Sequence, residues 1–514
     1  MKIRISPRNI SVLIASIWLG AFSLLGLTAH AAVEPAIGAD NARHLLNRTG
    51  FAASEADIST FAKLGRTEAA DQLVRGVRTV ATQAPPAWVS DLPVPAARLR
   101  DMTQEERLAE LRKNVERAFE LREWWFREML NTPSPLTEKM TLFWHGHFAT
   151  SQQKVRFTPL MYEQHVMLRR NAMGNFGTLL REVSRDPAML VYLDGANSRK
   201  EQPNENFARE VMELFTLGEG NYTEADIKEA ARAFTGWSVD RDTGKFLFRR
   251  GIHDYGNKTV MGKTGNLDGD QVIDVLLAKP ATARFITRKL WKEFVSPAPS
   301  GAGEEAEFNR LADLFRDSGY SIAKLMRAML SSDAFYAADN RAVLVKSPVE
   351  FVIGTMKQFD IDTPNLRPFV IASALLGQNV FTPPNVKGWP GGETWINSAT
   401  LLGRKQLIDR LFRNEDRMDA ALRNMDEMAD RNGDMSPPGR EARQRRQMER
   451  QMGGIRWNLD KWADGFTEGK QKATPLQSMT RVVLAVAPQN SPVQSDKPSD
   501  WARQLVQDPV YQLK

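Results

Sequence analysis

Helix-capping residues recur along this sequence at such regular intervals that they restrict the fold to an array of helices. Ser, Thr, Asn or Asp stands where its side chain can accept hydrogen bonds from the free amides of a helix N-terminus, often with Pro one residue later. Glycine follows several apolar stretches, where a helix can end in a left-handed conformation. The pattern predicts an all-α, multi-helical globular fold. The starts are Ser134, Asp186, Thr223 and Ser347, and the stops are Gly218 and Gly236.

Strand-like patterns are confined to a short stretch of the sequence. Turn residues there separate three short alternating runs, as expected for strands that pair with close neighbours. We therefore expect at most one small β-hairpin, at about residues 237–260. The three runs are Trp237–Val239, Lys245–Phe248 and Lys258–Val260.

The N-terminus has the features of an export signal. Three basic residues precede an apolar run, Ile10–Leu27, which ends in Ala29-His30-Ala31, a small-x-small pattern that signal peptidase cleaves. Residues 1–31 are therefore predicted to be a signal peptide, and the protein to be periplasmic or extracellular. An uncleaved membrane anchor is the alternative. No later apolar run is long enough for a transmembrane helix, so we expect no integral membrane segment after cleavage.

The amino-acid composition limits which kinds of binding partner and which kinds of metal site the protein can have. The chain has no cysteine, which excludes disulfides and thiolate metal ligands. Removal of the three basic residues of the signal, Lys2, Arg4 and Arg8, lowers the formal net charge from +7 to +4, and both signs are mixed along the chain. Such a surface gives no indication of nucleic-acid binding.

The remaining chain is predicted to form one helical main domain with an insertion. Residues 32–412 form the main domain, and residues 455–514 supply C-terminal helices that complete it. Between them, residues 413–454 are rich in Met, Arg and Asp and contain no Val, Ile, Phe, Tyr or Trp. A segment of this composition buries little, so we expect a protruding, low-complexity insertion, helical in part or disordered. A partner-binding arm is the alternative.

Four of the six histidines fall within residues 145–253, beside the aromatic segment Phe-Trp-His-Gly-His-Phe at 143–148. If the helix from Pro135 continues, His147 lies on its apolar face and His145 on the neighbouring face. Binding of one metal ion by both would require the backbone to leave the helix near Gly146. The alternative is that His147 is a core histidine and His145 a cation at the helix C-terminus.

Two helical segments carry further polar candidates. Tyr162, His165 and Arg169 line one side of a helix, where they could bind an anion or form a structural hydrogen-bond row. In the second, Asn206 and Glu210 form a polar row beside the i, i+4 row of Glu205, Arg209 and Glu213, which is usually a solvated salt-bridge stripe. Together the two rows make more of the helix surface polar than a helix with one exposed side needs. One row is therefore expected to line a cavity or to meet polar residues of another helix, such as His145 or Arg232.

Two loops complete the set of candidates. His253 precedes Asp254, a carboxylate that could orient the imidazole for acid–base chemistry or make a local turn. The loop at residues 381–392 is rich in Pro and Gly, carries Trp389 and is followed by Trp395. A rigid aromatic loop of this kind can be a platform for stacking sugars, or a plug that closes one end of the helical core.

These segments together resemble a large bacterial family catalogued as domain of unknown function eighteen hundred. The resemblance implies an exported protein without an assigned reaction, in a family often encoded beside exported proteins that resemble sulfatases or phosphatases. It transfers no catalytic residue. The matching segments are Phe-Trp-His-Gly-His-Phe at 143–148, Asp-Pro-Ala-Met-Leu at 186–190, Pro-Asn-Glu-Asn-Phe-Ala-Arg-Glu at 203–210, Ala-Arg-Ala-Phe-Thr-Gly-Trp at 231–237, His253-Asp254, Lys-Ser-Pro-Val-Glu at 346–350 and Pro-Pro-Asn-Val-Lys-Gly-Trp-Pro-Gly-Gly at 383–392.

The leading hypothesis is a polar centre that holds a divalent metal or an anion and hydrolyses envelope or extracellular material. The competing hypothesis is a non-enzymatic binding or scaffolding protein. It would hold an exported sulfatase- or phosphatase-like partner through the Trp389 and Trp395 loop or the 413–454 arm. The predicted catalytic residues are His145, His147, Glu210, His253 and Asp254. The predicted substrate-binding residues are His165, Arg169, Asn206, Lys346, Trp389 and Trp395.

Overall fold

The computed structural model describes residues 34–412, 458–467 and 474–514. Within these ranges the chain forms 22 α-helices and four short strands, which confirms the predicted all-α class. The predicted signal peptide, residues 1–31, and the predicted insertion, residues 413–454, lie outside the described residues.

The helices are numbered in chain order. They are α1 (Gly38–Thr49), α2 (Glu55–Phe61), α3 (Arg66–Arg75), α4 (Ala96–Asp101), α5 (Gln104–Asn131), α6 (Pro135–His147), α7 (Thr158–Arg170), α8 (Phe176–Ser184), α9 (Pro187–Tyr192), α10 (Glu205–Met212), α11 (Glu224–Ala233), α12 (Gly269–Leu277), α13 (Pro280–Phe294), α14 (Gly301–Asp317), α15 (Ile322–Ser331), α16 (Asp333–Tyr336), α17 (Pro348–Gln358), α18 (Arg367–Leu375), α19 (Ser398–Phe412), α20 (Leu459–Asp464), α21 (Pro475–Val483) and α22 (Pro498–Gln507).

Most of the predicted caps form as expected. Thr223 and Ser347 each complete a reciprocal capping box at the start of a helix, and the side chain of Asp186 accepts a hydrogen bond from an amide of α9. Ser134 is different, because its hydroxyl contacts the hydroxyl of Thr137 instead of a backbone amide. There the fixed φ of Pro135 at the first helical position favours the start of α6.

The strands form two hairpins where at most one was expected. β1 (Trp237–Val239) pairs with β2 (Phe246–Phe248) in antiparallel register, with Trp237 opposite Phe248. β3 (Lys258–Val260) pairs with β4 (Lys263–Gly265) across a two-residue turn. Both turn residues have positive φ, +48° at Met261 and +87° at Gly262, as in a type I′ turn. Local preferences predict the first of these two strands, but methionine is unusual at such a turn position, so they do not predict the hairpin.

The helix α10 does not continue regularly to residue 217. From Glu213 to Leu217 the backbone is π-helical, and the amide of Gly218 donates to the carbonyl of Glu213 at 2.9 Å. The hydroxyl of Thr216 donates to the carbonyls of Val211 and Met212, at 2.7 and 3.1 Å. Such π-turns are often found at functional sites.

The helix α6 lies between two clusters of buried apolar side chains. Met140 and Trp144 belong to the first cluster, and Leu142 belongs to the second, together with Trp125 of α5. Burial of each large apolar side chain contributes about 1.5–3 kcal/mol to stability. A helix held on both sides in this way is a rigid support for the polar groups that it carries.

The C-terminal helices share the second of these clusters. Met479 of α21 and Leu505 of α22 are buried in the same cluster as Val352 of α17. Across the three described ranges, no helix has both the length and the apolar content needed to cross a bilayer.

Candidate functional site

A cleft of about 610 Å³ opens where the C-terminal end of α6 meets α13 and two loops. The first loop, residues 343–347, precedes α17, and the second is the Gly- and Pro-rich loop at residues 387–395. The volume lies within the range of about 300–1,000 Å³ that is typical of small-molecule sites. The charged and aromatic residues of the lining are Lys139, Phe143, His147, Lys289, Lys292, Glu293, Glu350, Lys387, Trp389, Glu393, Trp395 and Lys514.

The second loop is positioned by a close backbone contact with α6. Gly388 has φ +81°, a conformation that favours glycine, and a Cβ at this position would overlap the carbonyl oxygen of Gly146. In the other direction, a Cβ at Gly146 would lie 3.7 Å from the ring of Trp389. Two of the sequence segments that carry the family resemblance therefore meet at one wall of the cleft.

His147 presents a neutral ring to this cleft. It is 4% exposed, and its Nε2 lies 3.2 Å from the carbonyl oxygen of Phe215 in the π-helical segment. Because a carbonyl can only accept, the proton is assigned to Nε2, which leaves Nδ1 with a lone pair. That Nδ1 is buried and has no hydrogen-bond partner among the residues that the structure describes. Burial, reinforced by the charge of Lys289, holds the pKa of His147 well below its usual value.

Two lysines of α13 bring positive charge to the same region. Within the described ranges, neither Lys289 nor Lys292 forms an ion pair with a carboxylate. The Nζ of Lys289 lies 4.9 Å from the ring centroid of Phe285. Burial, followed by the charge of Lys292, lowers the pKa of Lys289 to about 8. A third lysine, Lys387, is paired with Glu219 at 3.2 Å.

The floor of the cleft is a buried network in which charges balance. The Nζ of Lys139 contacts Glu350 and lies 3.3 Å from Glu293, and its side chain is 1% exposed. The Nζ of Lys514 lies 2.5 Å from Glu350 and 3.2 Å from Glu293. Although burial opposes it, the ammonium groups of Lys514 and Lys139 lower the pKa of Glu293 to about 2. Two cations face two anions in this network, so the lysines of the lining that have no carboxylate partner in the described ranges are Lys289 and Lys292, with the carboxylate of Glu393 across the cleft.

The floor depends on pairing between distant segments. The amide of Lys346 donates to the carbonyl of Gln512 at 2.8 Å, and the amide of Lys514 donates to that of Leu344 at 2.8 Å. Lys346 itself, a predicted substrate-binding residue, is not part of the lining. Its Nζ lies 4.1 Å from the ring centroid of Tyr511, and burial, then the charge of Arg404, lowers its pKa to about 7.

The two tryptophans of the second loop differ in exposure. Trp395 is 6% exposed and therefore offers little surface for a ligand. Trp389 is half-buried along the cleft, as a stacking platform would be. Its Nε1 is buried and has no hydrogen-bond partner in the described part of the chain.

His145 and His165 meet in a second polar region, which is enclosed by aromatic rings. The Nε2 of His145 lies 3.1 Å from the Nδ1 of His165, and Trp125 and Phe381 pack against both rings. Burial, then the charge of Arg169, lowers the pKa of His145 to about 3 and that of His165 well below its usual value. These two imidazoles therefore lie together, and neither lines the lysine-containing cleft.

Arg169 is held inside this second region by carboxylates. Its guanidinium lies 2.5 Å from each carboxylate oxygen of Glu138, and 3.6 Å from Glu128. Arg169 is 2% exposed and Glu138 is fully buried. The anion predicted for Arg169 is therefore supplied by the protein's own side chains.

The second polar row of α10 is divided between the interior and the surface. Glu210 is buried, and burial, then the charge of Glu213, raises its pKa, while the charge of Lys387 opposes this. Asn206 is exposed, with its amide nitrogen 3.4 Å from the carbonyl of Leu193. The prediction that this row meets His145 or Arg232 is wrong, because His145 contacts His165 and Arg232 contacts Asp254.

His253 and Asp254 belong to a local turn. The ring of His253 donates to the carbonyl of Thr235 at 2.7 Å. Asp254 accepts from the guanidinium of Arg232 at 2.7 Å and from the amide of Gly256 at 2.8 Å. The carboxylate therefore stabilises the turn and does not orient the imidazole.

The hypothesis of one polar centre is thus corrected to four separate locations. His147 lies in the cleft, His145 and His165 in the enclosed region, Glu210 near Lys387, and His253 in its turn. One reason is helix geometry, because residues two apart on α6 project about 200° apart around its axis. Among the described residues, no group of three or more His, Asp and Glu side chains is arranged to hold a metal ion.

Most of the charged lining was missed from the sequence. Lys289, Lys292 and Glu293 follow an i, i+3, i+4 spacing on α13, which is also typical of a solvated helix face. Glu350 was noticed only as the third residue of a capping box. Only the repeated Lys positions on one side of α13 could have indicated a basic site.

Comparison with known families and proteins gives one match. A family model described as protein of unknown function (DUF1800) matches residues 44–513. No curated protein and no solved structure matches the chain. The match extends over both the enclosed histidine region and the cleft.

Proposed function

The chain belongs to the family described as protein of unknown function (DUF1800), which assigns no activity, so we propose its function from the cleft itself. We propose that it is an exported protein that binds an organic anion in this cleft. The single observation that carries the proposal is the pair of lysines, Lys289 and Lys292, which line the cleft and have no carboxylate partner among the described residues. Uncompensated positive charge in a concave, partly buried site favours a negatively charged ligand.

The neighbouring groups fit the same ligand. The floor is already neutral, because Lys139 and Lys514 are compensated by Glu293 and Glu350. An incoming anion therefore meets the charge of α13 without having to break the buried network. With a volume of about 610 Å³, the cleft has room for a molecule much larger than an inorganic ion.

A titration with sodium sulfate tests the binding proposal, because sulfate carries the charge and does not titrate near neutral pH. The variant Lys289→Gln with Lys292→Gln is expected to weaken sulfate binding at least about tenfold, measured by isothermal titration calorimetry. The matched control is Lys228→Gln with Lys324→Gln, which removes the same charge from exposed positions on α11 and α15. Equal affinity in the two double variants would overturn the proposal.

Hydrolysis of envelope or extracellular material is the second candidate function. It is favoured by one feature, the neutral ring of His147, whose acceptor nitrogen has no partner within residues 34–412, 458–467 and 474–514. A neutral imidazole of this kind can take a proton from an attacking water molecule. Turnover of nitrophenyl phosphate or nitrophenyl sulfate, lost about 100-fold in His147→Gln, is the expected result. Absence of turnover on both esters, or equal turnover in the variant, removes this candidate.

Binding of a sulfatase- or phosphatase-like protein is supported less well than binding of a small anion. Trp395 is buried and Trp389 lies along a cleft, so this loop offers little of the flat apolar surface that protein interfaces use. Those two placements favour a small ligand over a protein surface as the occupant.

Export is tested separately. Expression of the full chain in a bacterial host, followed by N-terminal sequencing of the protein from the periplasm or the medium, is expected to show Ala32 as the first residue. Retention of residues 1–31 on a membrane-bound product would instead favour the anchor.

A further inference from the structure

We infer that the anion in this cleft is carried by a sugar, a phosphorylated or sulfated carbohydrate whose ring lies against Trp389. The inference rests on the proposed function, because the anionic group is the one assigned to Lys289 and Lys292. It adds the chemistry of the rest of the ligand, which the lysines alone do not specify.

Two buried nitrogen atoms in the lining have opposite requirements. The Nδ1 of His147 carries a lone pair and needs a donor, and the Nε1–H of Trp389 needs an acceptor. In the part of the chain that the structure describes, neither has a hydrogen-bond partner, although a buried polar atom without one costs about 1–3 kcal/mol. A phosphate or sulfate ester offers acceptors only, whereas sugar hydroxyls offer both donors and acceptors. A hydroxylated ligand is therefore the class that satisfies both residues.

The indole of Trp389 is held as a fixed surface. One edge faces Gly146 of α6, and the preceding residue, Gly388, is locked against the same helix. Pro390 follows directly and restricts the backbone on the other side. A half-buried ring with a polar tip suits a partner that has one apolar C–H face and polar edges, which describes a pyranose.

Polar groups continue beyond the indole. Glu393 and Thr394 are exposed in the same loop, and both line the cleft. A carboxylate would repel a purely anionic ligand, but it accepts hydrogen bonds from hydroxyl groups. The combination of Lys289 and Lys292 on one side with Glu393 on the other fits a ligand that has one charged end and one hydroxylated end.

The test compares ligands that share the charged group. Glucose 6-sulfate and glucose 6-phosphate are titrated into the full chain beside inorganic sulfate, inorganic phosphate, phenyl sulfate and unmodified glucose. We expect at least one of the two sugar esters to bind about tenfold or more tightly than its inorganic anion and than phenyl sulfate. The sulfate and phosphate arms identify which ester the site prefers. Equal or tighter binding of phenyl sulfate would overturn the sugar assignment in favour of an aryl anion.

Variants separate this inference from the proposed function. Trp389→Ala is expected to lower the affinity for the preferred sugar ester about tenfold and to leave inorganic sulfate unchanged. Trp389→Phe keeps a ring and removes the Nε1 donor, so it provides a milder test if the alanine variant unfolds. Trp501→Ala is the matched control, a half-buried tryptophan of α22 with an unpartnered Nε1 outside the cleft. An equal loss for the sugar ester and inorganic sulfate in Trp389→Ala would refute the role of the ring. An unchanged affinity for the sugar ester in Trp389→Phe would refute the role of the Nε1 donor. If anion binding is lost in the double variant Lys289→Gln with Lys292→Gln but binding of the sugar ester is unchanged in both Trp389 variants, the proposed anion binding stands and the sugar inference is refuted.

Discussion

The backbone of Gly388 lies directly against the carbonyl oxygen of Gly146, so that no side chain fits at position 388. This contact joins the loop that carries Trp389 to the helix that carries His147. Both walls of the cleft are therefore fixed relative to each other by backbone atoms, which cannot adjust by a change of rotamer.

The first prediction concerns this contact. Gly388→Ala is expected to destabilise the protein, because the residue has φ +81° and because its Cβ would overlap the carbonyl of Gly146. Gly220 has the same φ of +81° and nothing near its missing Cβ, so Gly220→Ala isolates the conformational cost of about 1 kcal/mol. Urea unfolding should show a loss for Gly388→Ala that is larger by about 1–3 kcal/mol. Equal losses would show that the loop moves away freely.

The second prediction concerns the buried ion pair of the enclosed region. Arg169→Met leaves the carboxylate of Glu138 buried without its cation, and we expect a loss of about 3–5 kcal/mol in the free energy of unfolding. The neighbouring Arg170 pairs with Glu182 at the surface, so Arg170→Met should cost at most about 1 kcal/mol. Adding Glu138→Leu to Arg169→Met should restore part of the loss. A similar loss of unfolding free energy in Arg169→Met and Arg170→Met would contradict the burial of the pair formed by Arg169 and Glu138.

The third prediction concerns acid stability. His145 and His165 stay neutral in the folded protein because their pKa values are lowered, to about 3 for His145, from an ordinary value near 6.5. Below pH 6.5 the unfolded chain therefore binds protons that the folded chain does not. Stability should fall by about 1.4 kcal/mol per pH unit for each ring as the pH decreases from 6 towards 4.

Comparison with a variant isolates these two rings from other titrating groups. In His145→Gln with His165→Gln, the dependence of the unfolding free energy on pH should be shallower by about 3 kcal/mol per unit between pH 6 and 4. Groups that titrate in both proteins, such as Asp186 with its pKa raised by burial to about 7, cancel in the difference. Parallel curves for the two proteins would show that the rings are protonated in the fold.

The fourth prediction concerns the pH dependence of anion binding. Burial and the charge of Lys292 lower the pKa of Lys289 to about 8, so its ammonium is charged below that pH and neutral above it. Sulfate affinity should be constant from pH 6 to 7.5 and fall by up to about tenfold per unit above pH 8. Lys289→Arg, which stays charged, should extend the plateau beyond pH 9. A decline at the same pH in the arginine variant would assign the titration to another group.

The sequence predicted the fold better than the site, because helix caps are local. Thr223, Ser347 and Asp186 carry the side chains that start their helices, and each does so in the structure. The placement of His147 and His145 on different faces of α6 also follows from helix periodicity alone. In contrast, the turn at Met261 and the π-helical segment after Met212 depend on tertiary packing, so local preferences did not reveal them.

The cleft itself depends on pairs of residues that are distant in the sequence. Lys139 meets Glu350, and Lys514 meets Glu293, across separations that no local pattern encodes. Lys289 and Lys292 have the spacing of ordinary surface lysines, and only the arrangement of the surrounding helices gives them a shared concave surface. The unpartnered nitrogen of His147 became visible only when Phe215 was placed beside its other nitrogen.

The pairing of residues 344–346 with residues 512–514 joins two segments that are far apart in the sequence and that both contribute to the cleft. Contacts between such remote positions form late, since the entropy of closing long loops must be overcome before they stabilise anything. The floor of the cleft should therefore be among the last parts of the molecule to become ordered during refolding.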